Sequence, residues 1–276
     1  DVISIETNLI LLNVVVTDSG GSYVSGLQAK DFEVFEDGKL QKITTFGAES
    51  TPFAAVILLD TSGSMEQRMP LARSAAIKFL EGLRDEDSAA VYNFDSKVKL
   101  IQDFSASRDL QPVAFNLKAD GMTVLNDSIV EASKMLSERP EKRRAIIVLS
   151  DGADTRSKYS QDKALKAAIA ANSTIYTVDI SSLDGFSKER TQSIGALKSF
   201  ADKSGGKFVP VSGGGELRDA FKKIIEELSV QYTIGYEPNA TVRDGKFHAI
   251  IVKTKSQKPL QIRTRKGYNA PKSDKK

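Results

Sequence analysis

The sequence predicts an α/β protein, a mostly parallel central sheet with helices on both faces, inserted into a small β-sandwich built by the two ends of the chain. Three observations predict it. Phe53–Leu59 is an unbroken apolar run, and Arg144–Leu149 is a second; such runs are the mark of strands buried on both faces of a parallel sheet. From Phe53 to about Val230, strand-like and helix-like segments alternate, as covered parallel sheets require. Before and after that stretch the pattern is β throughout. The expected boundaries are 1–50 and 231–270 for the two halves of the sandwich, 51–230 for the α/β domain, and 271–276 for a disordered basic tail.

The elements follow in order. Ile3–Thr17 is rich in Ile, Leu and Val and ends in the turn signal Asp18-Ser19-Gly20-Gly21. Asp31–Glu36 and Leu40–Phe46 flank Asp37-Gly38, the signature of a type I′ hairpin. Met65, Met69, Ala72, Ala76, Phe79 and Leu83 recur at intervals of four and three, which places them on one face of a helix, with Pro70 near its start. Ser88–Phe94 and Val98–Phe104 read as strands joined by Asp95-Ser96-Lys97. Helices are expected over about 108–118, through Leu136, over 162–171 and over 188–203, with strands at 174–178 and 207–211. Gly213–Gly215 leads into a last helix striped by Leu217, Phe221, Ile224 and Leu228. Tyr232–Tyr236, Phe247–Thr254 and Leu260–Thr264 are strand-like. In the last of these, Ile262 and Thr264 alternate with Arg263 and Arg265, which predicts one face turned to water.

Composition narrows the function classes. At 276 residues, 40% hydrophobic and 27% charged, the chain can bury a substantial core. No apolar run approaches the roughly 20 residues that span a bilayer, so no transmembrane segment is expected. Cysteine is absent, which removes disulfides, thiolate nucleophiles and Cys-based metal sites together. Residues 253–276 carry nine Lys/Arg against one Asp, a balance that reads as lysines protecting a sheet edge followed by a solvated tail. Aromatics do not alternate with these cations as a nucleic-acid stacking platform requires, so no nucleic-acid partner is expected. The chain begins at Asp1 rather than Met, as a processed product would, and a signal peptide is expected to be missing from it.

The chemistry concentrates at strand ends. Phe53–Leu59 delivers Asp60 into Thr61-Ser62-Gly63-Ser64, and residues just past the carboxyl end of such a strand are where open α/β sheets place their ligands. Thr123 follows Gly121-Met122 in a second loop. Ser150-Asp151-Gly152 ends the second apolar run. Two carboxylates (Asp60, Asp151) and three hydroxyls (Ser62, Ser64, Thr123) form a hard, all-oxygen donor set, suited to Mg²⁺, Mn²⁺ or Ca²⁺ rather than to zinc or copper. Met122 and Met65 are candidates for an apolar rim around it, since Met adapts to varied surfaces; Met122 is the better of the two, and a core position suits Met65 at least as well. Asp154 is a weaker rim candidate, and a solvated loop position suits it better. Each acid taken singly also reads as a helix cap; it is their coincidence on matching elements that points to a site.

Asp60-Thr61-Ser62-Gly63-Ser64, the distant Thr123 and the distant Asp151 together resemble the metal-ion-dependent adhesion site of von Willebrand factor type A domains, over about residues 53–230. The flanks, VVVTDSGGSYVSGLQAKDFEVFEDGK and YTIGYEPN…GKFHAIIVKTK…IRTRKGY, resemble the bacterial VWFA-related proteins best represented in acidobacteria. The resemblance implies a Rossmann-like fold, Mg²⁺ as cofactor, and a protein partner whose Asp or Glu carboxylate completes the coordination. It also implies export, hence an extracellular or periplasmic location.

Two rivals stand beside this reading. A phosphotransferase with an aspartyl nucleophile would need a second acid close by, yet position 62 is Ser, and no Lys or Arg is expected in the motif loops to hold phosphate. A serine-hydrolase triad would need His248, which falls in a strand of the other domain, and neither a GxSxG elbow nor a GxxxxGK loop occurs. Gly213–Gly215 before a helix reads as turn chemistry rather than as an anion site. The second rival is a scaffold module that makes its contacts through the β-sandwich. The expectation is a binding module and not an enzyme.

Overall fold

The computed structural model describes residues 9–48, 51–105, 122–151, 154–180, 187–238, 244–256 and 258–271. The chain divides into two compact units: Pro52–Ser229, and the combined segments Asp1–Thr51 and Val230–Lys276. In chain order, the first segment contributes β1 (Ile10–Thr17), β2 (Phe32–Glu36), β3 (Lys39–Gln41) and β4 (Ile43–Gly47). The continuous unit follows with β5 (Phe53–Asp60), α1 (Met69–Glu81), β6 (Ser88–Phe94), β7 (Val98–Ser105), α2 (Leu125–Ser137), β8 (Arg143–Ser150), α3 (Gln161–Ala170), β9 (Ser173–Asp179), α4 (Lys188–Ser204), β10 (Phe208–Pro210) and α5 (Gly214–Val230). The last segment supplies β11 (Tyr232–Tyr236), β12 (Phe247–Thr254), β13 (Gln261–Arg263) and β14 (Gly267–Asn269). The helix expected over 108–118 lies outside the described residues.

The continuous unit is a six-stranded sheet of order β10-β9-β8-β5-β6-β7. All neighbours are parallel except β6 and β7, which the Asp95–Lys97 turn joins as an antiparallel hairpin. Every residue of β5 is buried, because the strand has a partner on either side and a helical layer on either face. On one face Ala55, Ile57 and Leu59 pack with Ala72, Ala76 and Phe79 of α1 and with Leu217, Phe221 and Ile224 of α5. Phe79 and Phe221 meet edge to face at 6.0 Å, the geometry that aromatic quadrupoles favour. The alternate residues Val56, Leu58, Ile146 and Val148 are equally buried on the opposite face, where α2 packs against β5 and β8. The helix expected to begin near Met65 starts at Met69, with Pro70 in its first turn, where a missing N–H costs nothing. Gly63–Arg68 before it is a 3₁₀ turn.

The other unit consists of two antiparallel sheets, β13-β1-β11-β4 and β14-β12-β2-β3. Each interleaves strands from both ends of the chain: β1 lies between β11, with Ile10 opposite Tyr236, and β13, with Val15 opposite Arg263. The sheets pack face to face, since the Phe32 ring on β2 lies 5.3 Å from Tyr232 on β11 and 5.9 Å from Phe46 on β4. β12 alternates exposed and buried residues along Phe247–Lys253, as a sheet with one wet face should.

Three expectations for this unit are corrected. The run Leu40–Phe46 is not one strand: it breaks at Lys42, so that β3 completes the hairpin with β2 while β4 crosses to the other sheet. β14, at an edge of the second sheet, was not foreseen. Arg265 does not face water; it is 7% exposed. β13 ends at Arg263, and the chain then swings back so that the Ile250 N–H donates to the Lys266 carbonyl at 2.8 Å. That places Arg265 near the Tyr236 and Tyr268 phenols, where burial pulls its guanidinium down to about 10.

Candidate functional site

The site gathers at the carboxyl edge of the six-stranded sheet. Asp60, the last residue of β5, is fully buried. One carboxylate oxygen accepts the Ser62 N–H at 2.9 Å and the other accepts the Ser150 hydroxyl at 2.5 Å. The first bond curls the chain tightly into the Ser62–Ser64 turn; the second ties β5 to the end of β8. Burial, opposed by these hydrogen bonds and reinforced by the nearby Asp151 charge, pushes the Asp60 carboxyl up to about 6.

Three loops are cross-braced around this acid. Thr61 N–H donates to the Phe94 carbonyl at 2.8 Å, and Val124 N–H donates to the Asp95 carbonyl at 3.0 Å. The end of β6 therefore holds both the Asp60 loop and the Thr123 loop. Thr123 in turn is fixed to the loop after Asp151: its N–H donates to Thr155 Oγ1 at 2.8 Å, while its carbonyl accepts from the Thr155 and Arg156 amides at 3.0 and 3.2 Å. Ser62 and Thr123 are both 3% exposed and Asp151 is half-buried. The Ser64 side chain, Gly121, Gly152 and Ala153 lie outside the described residues.

The rim expectations divide. Met122 is 40% exposed beside Thr123, but Met65 is fully buried in the cluster beneath α1 and is not at the rim. Nor is Asp154 a free rim acid. Its carboxylate accepts the Asn126 N–H at 2.8 Å and the Ser157 N–H at 3.1 Å. It caps α2 from across the site, because Val124 at the N-cap position has no side-chain acceptor. The motif loops themselves hold no Lys or Arg, but Arg156, beyond the Asp151 loop, reaches back and directs its guanidinium onto the Met122 sulfur at 2.7 Å. Ser150 was missed as a site residue. The only signal for it was a hydroxyl one position before Asp151, and nothing in the sequence showed that it would reach across to β5. His248, the residue a hydrolase would require, belongs to the other unit, where Asp37 engages it at 2.7 Å.

What gathers here is two carboxylates and neutral hydroxyls, all oxygen, at a partly open sheet edge. Two like charges, one of them buried, are costly without a cation between them, and such a set could hold a small hard dication.

Residues 55–153 match the family model described as von Willebrand factor type A domain. An uncharacterized protein of Synechocystis is 26% identical over 186 residues; the match takes in 64% of this chain and 42% of that protein, so the chain spans about two fifths of its curated relative. Among solved structures, a von Willebrand factor type A protein from Catenulispora acidiphila aligns over 97% of this chain and 75% of its own, with 13% identity and a TM-score of 0.55. The pilus adhesin SpaC of Lactobacillus rhamnosus GG, in its open conformation, aligns over 92% of this chain and 49% of its own, with 10% identity and a TM-score of 0.53. The six-stranded unit thus has the Rossmann-like fold of von Willebrand factor type A domains.

Proposed function

We propose that this von Willebrand factor type A domain is a protein-binding module that depends on a divalent cation, Mg²⁺ above Mn²⁺ or Ca²⁺. Ser62, Ser64 and Thr123 would offer neutral oxygens, and Asp60 and Asp151 would balance the charge. One observation carries the reading: Asp60 is buried at the strand end, held by Ser62 and Ser150 with Asp151 beside it, an arrangement that a dication relieves. When bound, the ion supplies an electrophilic position that a carboxylate from a partner protein can fill. The residues around it orient the donors: Ser150 fixes one oxygen of Asp60, and Thr155 fixes the Thr123 backbone. The expected location is extracellular or periplasmic, supported by the resemblance of the flanks to exported bacterial proteins and by the likeness of fold to a pilus adhesin.

Binding is favoured over catalysis by the donor set. A phosphotransferase would need Asp60 free to attack and a second acid in its turn. Both Asp60 oxygens are engaged by Ser62 and Ser150; Ser62 occupies that turn, the nearby Asp151 belongs to the proposed metal donors, and Asp154 is committed to the α2 cap. The test is calorimetric titration of the metal-stripped protein with MgCl₂, MnCl₂ and CaCl₂, with Asp151→Ala and Asp60→Ala beside it. A single site that both substitutions remove, followed by capture of a partner only without chelator, is the expected result. A partner captured equally with chelator would replace this reading with a scaffold acting through the β-sandwich, and phosphatase turnover lost with Asp60 would replace it with the enzyme.

A further inference from the structure

A second group of metal-type donors stands in the β-sandwich, far from any role in the reading above. Glu36 ends β2, Asp37 begins the hairpin turn, and His248 lies on the neighbouring strand β12. One donor atom from each lies within 4.8 Å of the other two. His248 Nδ1 is 2.7 Å from Asp37 Oδ2 and 3.9 Å from Glu36 Oε1. Glu36 is 6% and His248 8% exposed, while the Asp37 side chain is about half exposed, so the group is walled on one side and open to solvent on the other.

Each of the three is aimed by a further contact. Asp37 Oδ1 accepts the Ala249 N–H at 2.9 Å, which leaves Oδ2 to face the imidazole. The Glu36 carboxylate accepts the Tyr236 hydroxyl and, at 3.4 Å, that of Tyr268. The far ring nitrogen of His248, Nε2, faces Asp244 Oδ1 at 3.3 Å. A carboxylate behind the imidazole is the usual partner of a metal-bound histidine: it takes the Nε2 proton and turns the Nδ1 lone pair outward. Here that lone pair meets two carboxylate oxygens. With Nε2 protonated, Nδ1, Asp37 Oδ2 and Glu36 Oε1 are all acceptors, and a cation placed among them would be bound by all three. A proton on Nδ1 would serve only the short contact to Asp37.

We propose that Glu36, Asp37 and His248 form a binding site for a first-row transition dication of the zinc type, with Asp244 orienting the imidazole and water completing the coordination. One imidazole with two carboxylates suits such an ion better than Mg²⁺. The site joins the β2–β3 turn to β12, so the bound ion would staple the N-terminal hairpin to a C-terminal strand. It does not depend on the function proposed for the other unit.

The test uses the untagged full chain with saturating MgCl₂ and the Asp151→Ala substitution, so that the first site takes no zinc. His248 is the chain's only histidine, so imidazole nitrogen resonances report on this site alone. Titration with ZnCl₂ is expected to show one equivalent bound and to move the Nδ1 resonance to that of a metal-bound ring. His248→Ala should abolish the binding, and Asp244→Asn should weaken it by about 10–100-fold. Imidazole resonances that stay those of a doubly protonated ring as zinc is added would overturn the proposal, as would undiminished zinc binding by His248→Ala. The resonance experiment needs no substitution at the site, so it decides the matter even if the variants fold poorly.

Discussion

Thr123 and Thr155 hold one another through two reciprocal bonds: the Thr123 N–H donates to Thr155 Oγ1 at 2.8 Å, and the Thr155 N–H donates to the Thr123 carbonyl at 3.0 Å. The loop that carries a proposed metal hydroxyl is therefore positioned by the loop that follows a proposed metal carboxylate. Disturbing either should be felt at both.

Asp154 gives the sharpest way to do that. Asp154→Ala removes the acceptor for the Asn126 and Ser157 amides and leaves the first turn of α2 with only the Ser157 hydroxyl, which accepts the Asp127 N–H at 3.1 Å, as a side-chain cap. Loss of a cap costs about 0.5–2 kcal/mol, so the melting temperature of the α/β unit should fall. Mg²⁺ affinity, read by calorimetry, should fall as well, although Asp154 is not a proposed ligand. An unchanged affinity would mean that the Thr123 loop keeps its place without the cap.

In the metal-free protein Asp60 should make stability depend on pH. Its carboxyl is raised from the ordinary 3.8 to about 6, so the folded chain holds this proton more tightly than the unfolded chain does. The resulting contribution is present below about pH 4 and is lost as pH rises through 6, with a span on the order of 3 kcal/mol. Asp60→Asn should flatten this part of the profile. Added MgCl₂ should stabilise the parent more at pH 7 than at pH 5, since proton and cation compete. Thermal melts across that range check both expectations.

Gly206 sits where no side chain fits. A Cβ there would lie 1.9 Å from the Ile175 carbonyl oxygen, a backbone atom held in the centre of β9. Gly206→Ala should destabilise by about 1–3 kcal/mol, read as a lower denaturant midpoint at unchanged slope.

Tyr176→Phe removes the hydroxyl that donates to Glu227 at 2.6 Å in the interior between β9 and α5. Both residues are buried, so the carboxylate would be left one donor short, at about 1–3 kcal/mol. A melt indistinguishable from the parent would show that another donor takes the place of the phenol.

Truncation after Val230 should unmake the sandwich. β1 loses both its neighbours, β11 and β13, and β2 loses β12. Amide protons of Leu12–Val16 should then exchange with solvent orders of magnitude faster than in the full chain. Protection retained there would contradict the interleaved pairing.

The parallel sheet was legible because burial on both faces writes itself as uninterrupted apolar text, as in β5 and β8. The sandwich was less so. Lys42, where Leu40–Phe46 divides between two sheets, is an ordinary strand residue, and the crossing is decided by which partners each half finds in space. Arg265 misled for the same reason: alternation states which face a residue takes, but not that the chain will turn the face inward after β13. At the candidate site, Asp60, Ser62, Thr123 and Asp151 stood out by type and spacing. Ser150 and Thr155 did not, and Asp154 stood out as a rim candidate rather than as the cap it is, because a residue that supports another is defined by a long-range hydrogen bond and leaves no local pattern.

The pairing of Ile10 with Tyr236 also sets an order of events during synthesis. A ribosome must make more than two hundred further residues before β1 can meet the strand on either side of it. Through that interval the first segment waits as a hairpin without its sheet, while the whole of Pro52–Ser229 emerges and can fold. Completion of the sandwich thus comes after the α/β unit, and it reports that the intervening domain has been made in full.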